Sequence, residues 1–273
     1  MNKMTLPRCL LLGLTLISIP FASAQNGLPV VQPNHLTLIR EFVKVGHGAA
    51  HARNEAGWPA AFEKAKSPDY YVALTSVTGP TEAWFLIPSV SYADEAAGMK
   101  RDAKDPVLSA ELDRLSLADS EFITGSTTIQ LQARPDLSLG KFPTVAKIRF
   151  YEILIFSVRP GQQDKFEAVA KAYAGARKRV SPDASFRTYE VVAGMPGPTY
   201  FVLSSVEDYG DFDRTMAEDA KVYPALNAEE KAAFDKWGEA VSKAETERFR
   251  LDPGMSYVSR EVRASDPDFW MAK

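Results

Sequence analysis

His47 and His51 are the residues of this sequence whose types and spacing point most directly to chemistry. They lie one helical turn apart at the start of an alanine-rich stretch that favours a helix, and Glu55 lies one turn further along the same face. Imidazole and carboxylate groups arranged in this way can bind a divalent cation. An imidazole can also bind haem iron or act as a general base.

The same side chains can instead be solvated groups in the first turn of a helix. No HExxH pattern and no third ligand further along the chain accompany them. We therefore predict no metal site and no cofactor. His47 and His51 are kept as the candidates for a metal ligand, an axial ligand of haem or a catalytic base.

Charged residues within predicted strands form a second group of candidates. Glu152 could act as a catalytic acid or base and Arg187 as a clamp for an anionic group, in a pocket bordered by the sheet. Arg40 and Glu41, on the first predicted strand, are further candidates for ligand binding. Because a buried charge is costly unless it is paired, Glu152 and Arg187 could instead form an ion pair that fixes the strand register.

Aromatic residues form the third group. Large apolar side chains with a few polar groups are typical of small-molecule pockets. Aromatic residues on strands are equally expected in a plain hydrophobic core. The candidates for lining an apolar pocket are Trp58, Tyr71, Trp84 and Tyr189.

Several classes of protein are disfavoured by what the sequence lacks. It has no GxSxG, GxxxxGK[ST] or CxxC pattern and no GxGxxG after a strand, and Cys9 is its only cysteine. The 273 residues carry a net charge of −3, and no basic cluster is interleaved with aromatic residues. Nucleic acid is therefore not expected as a partner.

The first 24 residues have the pattern of a secretory signal peptide. Lys3 and Arg8 precede an apolar run over residues 9–21, and Ala22-Ser23-Ala24 is a small-residue cleavage site. The run is short for a membrane span, which needs about 18–20 apolar residues. We predict cleavage near Ala24 and export to the periplasm or the extracellular space, with no membrane span.

A signature of two Pro-containing turns occurs twice in the chain. Ser67-Pro68-Asp69 and Gly79-Pro80-Thr81 recur as Ser181-Pro182-Asp183 and Gly197-Pro198-Thr199, each time around two apolar runs. Gly48 and Gly161 align in the same order. The pattern indicates an internal duplication in which each Gly-Pro-Thr turn joins two strands.

Each copy is predicted to have the element order β-α-β-β-α-α-β. Long helices are expected over about Val107 to Ile129 and from Asn227 past Ala244, with short last strands near residues 134–138 and at Gly254 to Arg260. The predicted divisions are a signal peptide (1–24), an extended lead-in (25–34), a first repeat (35–140), a linker (141–146), a second repeat (147–262) and a C-terminal tail (263–273).

With this element order and these landmarks, the chain resembles the dimeric α/β-barrel superfamily, in a tandem single-chain form similar to NIPSNAP-like and stress-responsive barrel proteins. The resemblance implies an α+β fold in which two ferredoxin-like repeats pack sheet to sheet as a pseudo-dimeric α/β barrel, so that the chain is a monomer. It also implies ligand sites inside the barrel or between sheet and helices.

The superfamily includes cofactor-free monooxygenases, haem-handling enzymes and proteins without known chemistry, so the fold leaves function open. We predict an exported protein that binds a small apolar ligand or serves as an interaction module. The alternative is a monooxygenase-like or haem-handling enzyme that uses His47 or His51 and a barrel pocket.

Overall fold

The structure, a computed structural model, describes residues 27–271, so the predicted signal peptide lies outside the described residues. Within that range eight β-strands close into one barrel in the order β1-β3-β2-β8-β5-β7-β6-β4, and neighbouring strands are antiparallel. The strands are β1 (His35–Val43), β2 (Tyr71–Ser76), β3 (Glu82–Ser89), β4 (Ile123–Ala133), β5 (Phe150–Val158), β6 (Arg187–Ala193), β7 (Thr199–Val206) and β8 (Val241–Tyr257).

The predicted fold class, two ferredoxin-like repeats packed sheet to sheet, is wrong. The two halves, β4-β1-β3-β2 and β8-β5-β7-β6, are joined at their edges, where β2 pairs with β8 and β4 pairs with β6. An unpaired strand edge leaves a row of free N–H and C=O groups. Edge-to-edge pairing satisfies both pairs of edges at once, and the result is one closed sheet instead of two stacked ones.

The interior of the barrel is a packed hydrophobic core. Alternate residues of each strand point inward, as in β1, where Leu36 and Leu38 are buried. The largest side chains that are almost completely buried in this core are Trp84, Phe201, Phe249, Leu74, Ile129 and Ile153. Because protein cores are close-packed, little of the interior is available to a ligand.

Helices lie on the outside of the barrel. Those of the first half are α1 (Gly48–Glu55), α2 (Gly57–Ala65), α3 (Tyr92–Asp102) and α4 (Pro106–Asp119). Those that follow β5 are α5 (Gln163–Val180), α6 (Asp211–Asp219), α7 (Ala228–Phe234), α8 (Trp237–Ala240), α9 (Arg260–Ser265) and α10 (Pro267–Trp270). In the described part of the chain, no helix combines the length and the hydropathy needed to cross a membrane.

The predicted helix boundaries are confirmed where local chemistry sets them. Proline lacks the backbone N–H that a helix interior needs, and α1 accordingly ends just before the segment Gly57-Trp58-Pro59, with which α2 begins. The capping box at the start of α7 is present: Asn227 accepts a hydrogen bond from the backbone N–H of Glu230, and the Glu230 carboxylate accepts one from the N–H of Asn227.

The last strand of each half begins earlier than predicted. The expected helix over Val107 to Ile129 ends at Asp119, and β4 occupies Ile123–Ala133. The expected strand near residues 134–138 is a short 3₁₀ helix, and β8 replaces the expected C-terminal part of the helix after Asn227. Ladder pairing of β4 with β1 and of β8 with β5 outweighs the helical spacing of the apolar residues there.

Gly194 lies where β6 turns away from β4, at one of the two seams that close the barrel. Its φ is +93°, and a Cβ there would overlap the carbonyl oxygen of Thr128 on β4. We expect Gly194→Ala to lower the free energy of unfolding by about 3 kcal/mol, because backbone strain adds to a clash with backbone. Chemical denaturation with circular dichroism measures this loss.

Gly161→Ala is the matched control. Its φ is +78° but no atom lies within 4 Å of the added Cβ, so only the strain of about 1–2 kcal/mol is expected. Equal losses in the two variants would contradict the importance of close strand approach at this seam.

Candidate functional site

A cavity of 710 Å³ lies on the outer face of the second half, between strands β5, β6 and β7 and helices α5 to α8. Strand alternation creates its floor, since Tyr151 and Ile153 point into the barrel whereas Glu152 and Leu154 point outward. The volume lies within the range of about 300–1,000 Å³ that is usual for small-molecule sites.

Most of the cavity wall is apolar and aromatic. The stripe of α5 that faces it repeats at helical spacing, with Phe166 and Val169 followed by Tyr173. The other apolar wall residues include Leu154, Phe156, Val202, Phe212, Phe234 and Trp237. Flat rings on several sides favour a ligand that contains a ring system.

Arg177 forms the polar end of the cavity. Its side chain is only 7% exposed, and its Nη2 donates a hydrogen bond of 2.9 Å to Glu218. Its Nη1 lies 3.3 Å from Asp219 Oδ1 but is misaligned, so that this buried N–H has no hydrogen-bond partner in the described part of the chain. A buried donor without a partner costs about 1–3 kcal/mol. An acceptor supplied by a water molecule or by a ligand in the cavity would satisfy it.

Tyr173 lies next to Arg177 at the same end of the cavity. Its Oη donates a hydrogen bond of 2.8 Å to Asp219. Burial, together with the nearby charge of Asp219, raises the pKa of the Tyr173 phenol, and the phenol therefore keeps its proton at neutral pH.

Carboxylates outnumber cations around the cavity. The lining includes the acidic residues Glu152, Asp183, Glu218, Asp219 and Asp235 and only two arginines, Arg177 and Arg214. The local field therefore opposes the entry of anions.

Glu152 lines this cavity, but its partner is not Arg187. Directly opposite it on β8, Arg248 donates a hydrogen bond of 2.8 Å to the Glu152 carboxylate, and the Arg248 guanidinium lies 4.2 Å from the centre of the Phe212 ring. Arg187 points to the other side of the sheet, where it donates to the carbonyl oxygen of Gly140 at 2.8 Å. The expected ion pair between Glu152 and Arg187 is therefore not formed.

Two of the predicted pocket residues are part of the barrel interior. The Arg40 guanidinium donates two hydrogen bonds to Glu82, at 2.6 and 2.8 Å, and lies 3.5 Å from Glu247. Trp84 also donates to Glu82, at 2.6 Å, and Arg40 lies 5.0 Å from the centre of its ring. These contacts give Arg40 and Trp84 a structural role.

The remaining interior candidates, Arg187 and Tyr189, border a small cavity of 70 Å³ at one end of the barrel. Arg187 has one buried donor, Nε, without a hydrogen-bond partner among the described residues. The space is too small for a ring system.

Of the other candidates, all but His47 lie at or beside one cluster on the outer face of the first half. There Glu41 and His51 lie in one cluster with Glu55 and Asp119, and Trp58 donates a hydrogen bond to Glu55. Burial, followed by the charges of Glu41 and Asp119, raises the pKa of Glu55 to about 9. The charges of Glu55 and Glu41 also contribute, after burial, to the raised pKa of Tyr71. His47 is exposed and is not part of this cluster.

Arg177, Tyr173 and Asp219 were not predicted as site residues. The sequence shows Tyr173 in an apolar stripe that is typical of core, and Arg177 begins a basic run that is typical of an exposed helix end. The signal that could have found Arg177 is its position one turn after Tyr173 on the apolar face of α5.

No protein-family model and no curated protein matches this sequence. Solved structures do resemble its fold. A provisionally assigned monooxygenase from Fusobacterium nucleatum has 9% identity and a TM-score of 0.53, covering 81% of this chain and 93% of that one. One from Lactobacillus acidophilus has 9% identity and a TM-score of 0.52, covering 83% and 99%. An anthrone oxidase-like protein has 14% identity and a TM-score of 0.51, covering 80% and 92%.

These likenesses concern the fold, because the identities are low. They show that this barrel fold occurs in proteins provisionally assigned as monooxygenases, and the resemblance is one of fold alone.

Haem held by an imidazole does not fit the described residues. None of the three histidines lines the 710 Å³ cavity. The His51 ring is 2% exposed and lies 2.9 Å from Glu41 and 3.6 Å from Asp119, with no space for a porphyrin beside it. His35 packs against Tyr92.

We therefore expect haemin to give the same Soret spectrum with and without the purified protein, because no histidine faces a cavity of suitable size. His47→Ala and His51→Ala should behave like the wild type. A Soret shift that either variant abolishes would contradict this arrangement.

Proposed function

We propose that the protein binds a small, neutral, mainly apolar molecule with an aromatic ring system in the cavity of the second half. In this proposal a carbonyl oxygen of the ligand accepts a hydrogen bond from Arg177 Nη1. The unpartnered, buried Nη1 donor at the end of an apolar cavity is the observation that carries the proposal.

Charge supports a neutral ligand. The Arg177 guanidinium already lies beside two carboxylates, those of Glu218 and Asp219. An anionic ligand would add a third negative charge at the same end, whereas a carbonyl group supplies an acceptor without adding charge. Ligand binding would thus regain the free energy lost by the unpaired donor.

A set of matched tricyclic compounds tests this proposal: 9-fluorenone, fluorene, which lacks the carbonyl, and 9-fluorenone-2-carboxylate, which adds a negative charge. Titration calorimetry is expected to show that 9-fluorenone binds about 10-fold or more tightly than either of the others, since a hydrogen bond from a charged donor contributes about 1.5–3 kcal/mol.

In Arg177→Met, the preference for 9-fluorenone over fluorene should disappear while fluorene still binds. Arg214→Met is the control, because Arg214 also lines the cavity but its side chain is 63% exposed. This variant should prefer 9-fluorenone over fluorene to the same extent as the wild type. Equal affinities of wild type for 9-fluorenone and fluorene would contradict the role given to Arg177.

A second candidate function, oxygenation of the bound molecule, is favoured by the Tyr173–Asp219 pair at the same end of the cavity. Asp219 could accept a proton from an activated CH₂ group, while Arg177 Nη1 donates a hydrogen bond to the ligand carbonyl, where negative charge develops. Conversion of that CH₂ to a carbonyl by O₂ places one oxygen atom in the product and releases the other as water, together with both hydrogens. The fold is shared with proteins named as monooxygenase-type and anthrone oxidase-like.

Anthrone is the substrate with which to test this second candidate. Oxygen uptake with anthrone should exceed the uncatalysed rate, and Asp219→Asn should reduce the catalysed part by about 10²-fold or more while 9-fluorenone binding persists. Uptake that is the same in wild type and Asp219→Asn would remove the oxygenase candidate and leave the binding function.

Export belongs to this proposal as well. The predicted signal peptide supports it, and a mass measurement of the protein recovered from the producing cell would show whether residues 1–24 are removed.

A further inference from the structure

A cluster of four possible metal ligands lies on the outer face of the first half, away from the cavity. Glu41 comes from β1, His51 and Glu55 from α1, and Asp119 from the end of α4. One ligand atom from each residue lies within 4.8 Å of those of the other three. Ligands at bond lengths of about 2.0–2.2 Å around a tetrahedral ion are about 3.4 Å apart, so small side-chain adjustments would bring these four to one ion.

The cluster is buried and rich in carboxyl groups. His51 is 2% exposed, and Glu55 and Asp119 are each 4% exposed. Over residues 27–271, no lysine or arginine forms an ion pair with any of the three carboxyl groups. Their one basic neighbour in that range is His51, which lies 2.9 Å from Glu41 and 3.6 Å from Asp119. Buried charges are stable when they are paired or bind a metal.

Glu55 provides a separate indication of a ligand. Its Oε1 accepts a hydrogen bond of 3.1 Å from Trp58, which holds the carboxyl group in place. A carboxylate has about four lone-pair sites. The single hydrogen bond therefore leaves others for a cation at the position where the Glu55 side chain meets the other three ligands.

We propose that Glu41, His51, Glu55 and Asp119 bind one divalent transition-metal ion, with Zn²⁺ or Mn²⁺ as the best matches. An imidazole among carboxylates favours first-row transition metals, whereas Mg²⁺ and Ca²⁺ prefer oxygen ligands alone. Four protein ligands form a closed site, which is typical of a structural ion. Here the ion joins β1, α1 and α4, and it is independent of the ligand in the cavity.

Neighbouring side chains orient two of the ligands, as is usual around metal sites. Trp58 holds Glu55, and Asn54 donates to Asp119 Oδ1 at 3.4 Å and to the carbonyl oxygen of Leu115 at 3.1 Å. Both Asn54 and Trp58 lie near the break between α1 and α2, so the local chain path sets the ligand positions.

Calorimetry on the EDTA-treated, dialysed protein tests the proposal with ZnCl₂, MnCl₂ and MgCl₂ as separate titrants. We expect one Zn²⁺ or Mn²⁺ per chain, an increase in Tm on addition of either, and at least about 100-fold weaker binding of Mg²⁺. Absence of stoichiometric binding of both Zn²⁺ and Mn²⁺ would overturn the proposal.

Variants separate this site from adventitious binding. Glu55→Gln keeps the shape and removes one ligand charge, so the variant should fold, as circular dichroism would show, but bind Zn²⁺ and Mn²⁺ at least about 100-fold more weakly. His47→Gln is the matched control, since His47 is exposed on the same segment and outside the cluster. Wild-type affinity in Glu55→Gln, or loss of binding in His47→Gln, would also overturn the proposal.

Discussion

The pairing of β8 with strands of both halves is the interaction on which the rest of the structure depends. This strand of 17 residues pairs with β5 along its first part and with β2 along its last part. Without it, the edges of β2 and β5 would carry unpaired backbone groups, which are costly when buried. Closure places the inward side chains in one packed core, so the space for ligands and ions lies on the outer faces, beneath the helices.

The two halves of the barrel differ in what occupies the space between the outer face of the sheet and its helices. Under the sequence alignment of the two halves, Leu154 stands where the first half has Glu41, and Asp164 stands where it has His51. In the first half the space between sheet and helices is filled by charged groups, and α1 and α2 divide at the Pro59 segment, which brings Trp58 onto Glu55. In the second half the uninterrupted α5 spans a floor of apolar side chains and leaves a cavity. A polar cluster and a hollow site thus occupy corresponding faces of one barrel.

Local signals in the sequence predicted local structure well. Turn residues such as Gly79-Pro80 located the hairpins, and Asn227 located the start of α7. Barrel closure was not predictable in this way, because alternation shows which side of a strand is buried but not which distant strand completes its hydrogen bonds. Similarly, helical spacing connected His51 to Glu55, whereas Asp119 joins them only through the packing of α4 near α1. The helical spacing of Leu108, Leu115 and Phe122 predicts a helix that would continue into the residues of β4, and strand pairing overrides it.

Three arginines show how structural and ligand-binding charges can be told apart. Arg40 is enclosed in the barrel, but Glu82 and Glu247 together with the Trp84 ring compensate its guanidinium. Arg187 and Arg177 each keep one buried N–H unpartnered among the described residues. The space beside Arg187, 70 Å³, has room for about two water molecules, which would satisfy that donor. The 710 Å³ beside Arg177 has room for a molecule of several rings. An unsatisfied donor therefore indicates a ligand only when the adjoining cavity has the volume and the apolar walls to hold one, and within the described chain Arg177 meets both conditions.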